Sequence, residues 1–289
     1  MSKAGVSSAR AGRIDTRFAK LRDAGRGALI PFLEAYDPDL DTSMAILRGL
    51  PAAGADLIEI GVPFTDPAAD GPTIQKAGQR ALKAGGTMVG TLDMVRQFRR
   101  EDDATPVVLM GYINPILSYG PERFCQDAAD AGVDGLIVVD MPSEEADELM
   151  SEITAAGLDL IRLVAPTTDD KRLPLVLGTA GGFVYYVAIA GITGTRSATA
   201  QDLELAIPRV RAHTKLPIAI GFGVRSPEQA AQAVRVADAV VVASVLIETL
   251  AASLDQDGRA QADTVEKVLR QVRELSKAIY EARIQAVAA

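Results

Sequence analysis

One glutamate stands inside an otherwise apolar run, Glu59 between Ile58 and Ile60. If that run is a strand, side-chain alternation points Glu59 away from both neighbours, toward a barrel interior or toward a covering helix layer. A carboxyl in either dry setting has a raised pKa and is suited to passing protons near neutrality. A buried ion pair with a Lys or Arg is the bland alternative. Asp66 and Asp70 follow in a stretch punctuated by Pro63, Pro67 and Pro72, which restrict the backbone and make a shaped loop. Either Asp read alone is a turn or cap residue, and Asp70-Gly71-Pro72 is itself a turn pattern. Carboxylates gathered at a strand end, with no His or Cys cluster, point to acid–base chemistry without a metal.

A second signal lies further along, in Ala190-Gly191-Ile192-Thr193-Gly194-Thr195, Gly221-Phe222-Gly223-Val224 and Ala243-Ser244-Val245. Small residues at neighbouring strand ends, with a helix starting near Val245, suit a phosphate cradle of backbone N–H groups and one hydroxyl. Glycines also serve simply as turn formers. The single His213 precedes strand-like Leu216-Pro217-Ile218 in a polar stretch and reads as a solvated residue. Cys125 is the only cysteine, so neither an internal disulfide nor a cysteine metal site is available.

The elements that must position these groups recur along the chain. Eight short apolar runs read as strands: Ala28 to Leu33, Asp56 to Val62, Pro106 to Tyr112, Gly135 to Met141, Asp159 to Ala165, Gly182 to Ile189, Pro217 to Gly223 and Ala239 to Val245. Their near-continuous hydrophobicity fits parallel strands covered on both faces. Helical spacing marks Asp41 to Ala53, Gly90 to Arg100, Pro121 to Ala131, Ser143 to Ala156 and Pro227 to Val236. Several of these end in Ala-Gly, a capping glycine leading into the next strand. The α/β alternation allows a doubly wound sheet or a closed barrel. Eight strands without a reversal point favour a single (β/α)8 barrel, a TIM barrel, over residues 1–289. Such a barrel carries its chemistry at the C-terminal strand ends. Arg13 to Ala24 is expected as an extra helix over the barrel bottom, residues 1–12 as a flexible extension, and Gln261 to Ala286 as a closing helix. With 48% hydrophobic residues and 24% charged ones, the 289-residue chain can build a large core. A net charge of −8 argues against a nucleic-acid or membrane footprint. The absence of a signal-like or spanning apolar run implies a cytoplasmic protein.

Glu59 to Gln75, reading E-I-G-V-P-F-T-D-P-A-A-D-G-P-T-I-Q, closely resembles the signature segment of tryptophan synthase α subunits. The similarity continues through Met110-Gly111-Tyr112 with Asn114-Pro115, Gly135 to Pro142, Pro166 to Asp170, Gly191 to Gly194 and Gly221 to Gly223. It covers roughly Arg13 to Leu250. The resemblance implies a lyase that splits indole-3-glycerol phosphate into indole and glyceraldehyde 3-phosphate by a retro-aldol route, with neither cofactor nor metal. Matched by position, Glu59 would be the acid–base at the ring carbon, Asp70 would hold or take the ring N–H proton, and Tyr185 would assist. Phe32, Met110, Ile137, Leu163 and Phe222 would form the indole slot, with Thr193 on a loop that orders the site. Gly194, Gly223, Ala243 and Ser244 would hold the phosphate. The Pro63 to Pro72 loop and an Asn114-Pro115 loop would face a β subunit in a heterotetramer.

The sequence also departs from the family pattern. Pro31-Phe32-Leu33-Glu34-Ala35-Tyr36-Asp37-Pro38 stands where P-F-x-T-x-G-D-P is usual. Glu34 thereby replaces a hydroxyl, and its charge is expected to raise Glu59 further or to bind another substrate group. Tyr36 replaces a turn glycine, Ala188 a serine, and Ala243 a glycine at the cradle. If Glu34, Tyr36, Ala188 and Ala243 line one pocket, a diverged or redesigned aldolase-like lyase with altered substrate is the alternative reading. A non-catalytic subunit that activates a partner is the third.

Overall fold

The computed structural model describes residues 12–188, 200–221 and 223–287. Thr193, Gly194 and Phe222, along with residues 1–11 of the expected extension, lie outside them. Among the described residues the strands are β1 (Ala28–Glu34), β2 (Ile58–Gly61), β3 (Val107–Gly111), β4 (Gly135–Val138), β5 (Asp159–Leu160), β6 (Arg162–Val164), β7 (Val184–Val187), β8 (Ile218–Gly221) and β9 (Ala239–Val242). All pairings between them are parallel. Their order, β5-β4-β3-β2-β1-β9-β8-β7-β6, brings the two halves of the expected fifth strand to opposite ends of one sheet. The sheet is a nearly closed barrel.

The break in that fifth strand falls at Ile161. Its N–H still bonds Leu136 O on the β4 side at 2.9 Å, whereas Leu160 O already accepts from Gly181 N–H at 2.8 Å on the β7 side. Pairing changes partner there, so one apolar run becomes two short strands.

Alternation sorts the side chains into two layers. Leu29, Ile58, Ile60, Leu109, Val184 and Ile220 face outward into the helix layer. Ile30, Leu57, Val108, Ile137, Ile161 and Tyr185 fill the interior. The helix Arg13–Asp23 closes the bottom, as its spacing predicts. Ile14, Phe18 and Leu21 fall on one face and join the interior cluster, with the Phe18 and Phe183 rings 5.9 Å apart. Burial of such a side chain contributes about 1.5–3 kcal/mol.

Aspartates that precede three of the strands, β2, β4 and β9, perform one repeated task. Asp56 accepts from Leu29 N–H at 3.0 Å, Asp134 from Val107 N–H at 2.8 Å, and Asp238 from Ile218 N–H at 2.9 Å. Each carboxylate thus satisfies a backbone donor at the start of the neighbouring strand. Each is also held by an arginine: Arg26 on Asp56, Arg99 on Asp134 and Arg211 on Asp238. The barrel bottom is therefore ionic and structural, which leaves the opposite rim for chemistry.

Two local expectations are corrected. Asn114 and Pro115 lie in the short helix Ile113–Tyr119 rather than in a loop; proline is tolerated in a first helical turn. Pro72 is the first residue of the helix Pro72–Lys83, where its missing N–H costs nothing. The closing helix spans Thr264–Val287 and packs on Pro227–Val236 and Leu40–Ala53.

Candidate active site

β2 carries Glu59 with inward parity, opposite to Ile58 and Ile60 in the outer layer. The ambiguity of the sequence is thereby resolved toward the barrel interior. Glu59 is 1% exposed, and its Oε2 has no hydrogen-bond partner among the described residues. Burial, with the nearby charge of Asp70 adding to it, lifts its pKa to about 8. The alternative, an ion pair with Lys or Arg, is not formed among the described residues. At neutral pH Glu59 is a protonated acid.

Asp70 enters from the loop after β2, just before the helix Pro72–Lys83. Its N–H bonds Pro67 O at 3.1 Å, and Gln75 Nε2 bonds its carbonyl at 2.9 Å. The Tyr112 hydroxyl accepts from Ala69 N–H at 3.0 Å and hydrogen-bonds the Asp70 carboxylate. Burial raises Asp70 while that bond lowers it, leaving it at about 6. Asp70 is therefore mostly ionised at neutral pH, opposite in state to Glu59. Tyr112, itself pushed up by burial and by Asp70, was legible only as part of a matched motif. A tyrosine one residue beyond a strand end, where functional groups gather, was the available signal.

Tyr185 lies on β7 in the interior cluster. Burial and the charge of Glu59 hold its phenol well above its ordinary value. Its ring lies directly over Gly221 of β8, where any Cβ would overlap it. Ile137 and Leu163 belong to the same interior cluster, and Met110 packs on both that cluster and the one around Phe32.

Phe32, Glu34, Phe64, Asp70, Met110 and Tyr112 line one cavity at the rim. It measures about 20 Å³, room for about one water. Gly223 adopts a φ of 90°, which its lack of a Cβ permits. Ser244 opens the helix Ser244–Ala252 directly after β9, with Ala243 at its N-cap. The first N–H groups of that helix have no intrahelical acceptor, and its dipole favours an anion there. Among the described residues no group of three or more His, Cys, Asp or Glu could hold a metal ion, and no helix is long and apolar enough to cross a membrane.

The four atypical residues do not share a pocket. Ala188 is buried in the outer layer. Ala243 packs with Phe32 and Ile247. Tyr36 takes a left-handed φ of 69°, which fits the turn glycine usual there and costs a residue with a Cβ about 1–2 kcal/mol. Its ring turns into space that Gly90 leaves open, where a Cβ would overlap the Tyr36 hydroxyl. Only Glu34 of the four joins Asp70 in the rim cavity. The charges of Asp70 and Asp37 raise Glu34, and Glu34 is not among the causes of the Glu59 shift, which are burial and Asp70.

The family model described as tryptophan synthase alpha chain matches residues 18–280. The chain is 65% identical over 274 residues to a tryptophan synthase alpha chain of Granulibacter bethesdensis, covering 95% of this chain and 98% of that one. A tryptophan synthase alpha chain of Gluconacetobacter diazotrophicus is 64% identical over 271 residues, covering 94% and 99%. Among solved structures, tryptophan synthase subunit alpha from Legionella pneumophila superposes with a TM-score of 0.86 at 37% identity, over 93% of this chain and 99% of that one.

Proposed function

This chain belongs to the tryptophan synthase alpha chain family, and from that premise we propose how its own residues split indole-3-glycerol phosphate. It is a carbon–carbon lyase whose products are indole and glyceraldehyde 3-phosphate. The observation that carries the assignment of roles is the opposite protonation of two neighbouring carboxyls, Glu59 at about 8 and Asp70 at about 6. Environments that push two pKa values apart identify the acid and the base.

Protonated Glu59 gives its proton to the ring carbon that bears the side chain, while ionised Asp70 takes the ring N–H proton. The ring becomes a neutral indolenine, able to leave with an electron pair. Glu59, now a carboxylate, removes the proton of the hydroxyl on the adjacent chain carbon. The carbon–carbon bond breaks, that carbon becomes the aldehyde, and the bonding pair flows through the ring to nitrogen, which recovers its proton from Asp70. Both carboxyls return to their starting states, so no external acid, base or oxidant is consumed. Tyr185 stands beside Glu59 as a neutral phenol. Phe32, Met110, Ile137 and Leu163 supply apolar surface for the ring, with Phe222 and Thr193 assigned by resemblance. Gly223, Ala243, Ser244 and Gly194 take the phosphate, supported by the free helix end at Ser244.

The reading extends to a cytoplasmic chain of one barrel domain that passes indole to a β subunit within a heterotetramer, with the helix Ile113–Tyr119 and the loop before Pro72 at the docking face. An altered-substrate enzyme loses its main support, since the four atypical residues are not in one pocket. The test is formation of glyceraldehyde 3-phosphate and indole in equal amounts by the purified chain, with and without a β subunit. Equimolar products, accelerated by the partner, are expected. A folded chain that forms neither product in either mixture overturns the reading.

A further inference from the structure

Of the two carboxyls that line the rim cavity among the described residues, Glu34 and Asp70, Glu34 is the one to which the reaction above gives no work. It is 5% exposed at the end of β1, and among the described residues nothing hydrogen-bonds its carboxyl. Arg80, the cation that acts on it, is committed in a two-point ion pair to Asp37, at 2.6 and 2.7 Å. The Glu34 carboxyl instead rests against backbone: a Cβ on Gly61 would overlap its Oε2, and one on Gly78 would stand 3.6 Å from its Oε1. Burial and the charges of Asp70 and Asp37 hold its pKa well above the ordinary carboxylate range, which favours the protonated form, a group that can both donate and accept. The carboxyl lines the rim cavity, so a ligand there can supply the hydrogen bonds that a largely buried polar group needs.

Topology says which part of the substrate passes it. β1 stands between β2 and β9, with Glu34 opposite Gly61 on one side and Pro31 opposite Val242 on the other. A substrate anchored by its ring N–H at Asp70, after β2, and by its phosphate at Ser244, after β9, crosses the end of β1. The chain between those anchors carries two hydroxyls. Glu59 works on the one beside the ring, and the middle one has no partner in the reaction.

We propose that Glu34 determines specificity by hydrogen-bonding the middle hydroxyl of the glycerol phosphate chain, an interaction resting on the functional reading above. A site built to bond a hydroxyl discriminates against the analogue lacking it, because its own buried group is then left unpaired. The experiment compares kcat/KM for indole-3-glycerol phosphate and its analogue without the middle hydroxyl, in wild type, Glu34→Gln, Glu34→Thr and Glu34→Leu. Wild type is expected to lose about tenfold on the analogue. Glu34→Leu should lose about as much on the full substrate and then treat the two compounds alike. Glu34→Gln should keep most of the discrimination, and Glu34→Thr, too short to reach, should lose it while remaining polar. Should Glu34→Leu fail to fold, the Thr and Gln variants decide the matter. Equal penalties for the analogue in wild type, Thr and Leu variants overturn the proposal, as does no penalty in wild type. If folded wild type cleaves neither compound, the functional reading falls and this assignment with it.

Discussion

Replacing Glu59 by glutamine removes the acid and, by the same physics, stabilises the fold. A carboxyl raised from an ordinary 4.5 to about 8 binds a proton in the folded state that the unfolded chain has already released. Between those two pH values stability therefore falls as pH rises, because the native state holds more protons. At pH 7 the unfolded glutamate is ionised and the folded one still largely protonated, so wild type has lost roughly 3 kcal/mol relative to acid conditions. Above about pH 8 the loss levels off at roughly 5 kcal/mol. Glutamine is neutral throughout and occupies nearly the same space, including the unpaired position that Oε2 of Glu59 fills. Urea unfolding of both proteins at pH 4.5, 7 and 8.5, with m held common, measures the difference. The two should agree near pH 4.5, and the variant should be more stable by roughly 3 kcal/mol at pH 7. Curves that stay parallel across the range would refute the claim that Glu59 is desolvated and protonated.

Further expectations concern the rim and the bottom. The profile of kcat/KM should be bell-shaped, rising through about 6 as Asp70 ionises and falling through about 8 as Glu59 loses its proton; a flat profile between pH 5 and 9 would contradict the pairing. Tyr112→Phe removes the bond that lowers Asp70, so the acidic limb should move upward by roughly one pH unit, read from the same profile. Asp134→Ala strips Arg99, Arg13 and the Val107 N–H of their acceptor, and should cost roughly 3–5 kcal/mol in urea unfolding. Because Asp134 lies at the opposite end of the barrel from the rim, indole release per folded molecule should be unchanged at low temperature.

The barrel was legible because each strand is apolar on both faces and each capping glycine leads straight into the next strand, as Gly54 and Gly132 do with φ values of 101° and 91°. The division at Ile161 was not, since the change of partner from β4 to β7 is a property of closure and leaves no mark on a local run of apolar residues. Glu59 was visible as a carboxyl out of place. Its face was not, because alternation gives parity without saying which side is the interior. The helix Pro72–Lys83 was hidden behind a proline read as loop chemistry, although Ala77 and Ala81 recur at helical spacing. Tyr36 was placed at the correct turn, yet the direction of its ring depends on Gly90, far along the chain, and cannot be read from its neighbours.

Glu59 delivers the proton that makes indole a leaving group in the reaction proposed above. The most direct test is the rate of indole release from indole-3-glycerol phosphate at pH 7 by wild type and Glu59→Gln, each shown to be folded by its urea transition. The variant should lose roughly 10²–10⁴-fold in kcat, in a protein that is no less stable than wild type. Retention of wild-type turnover by folded Glu59→Gln would contradict it.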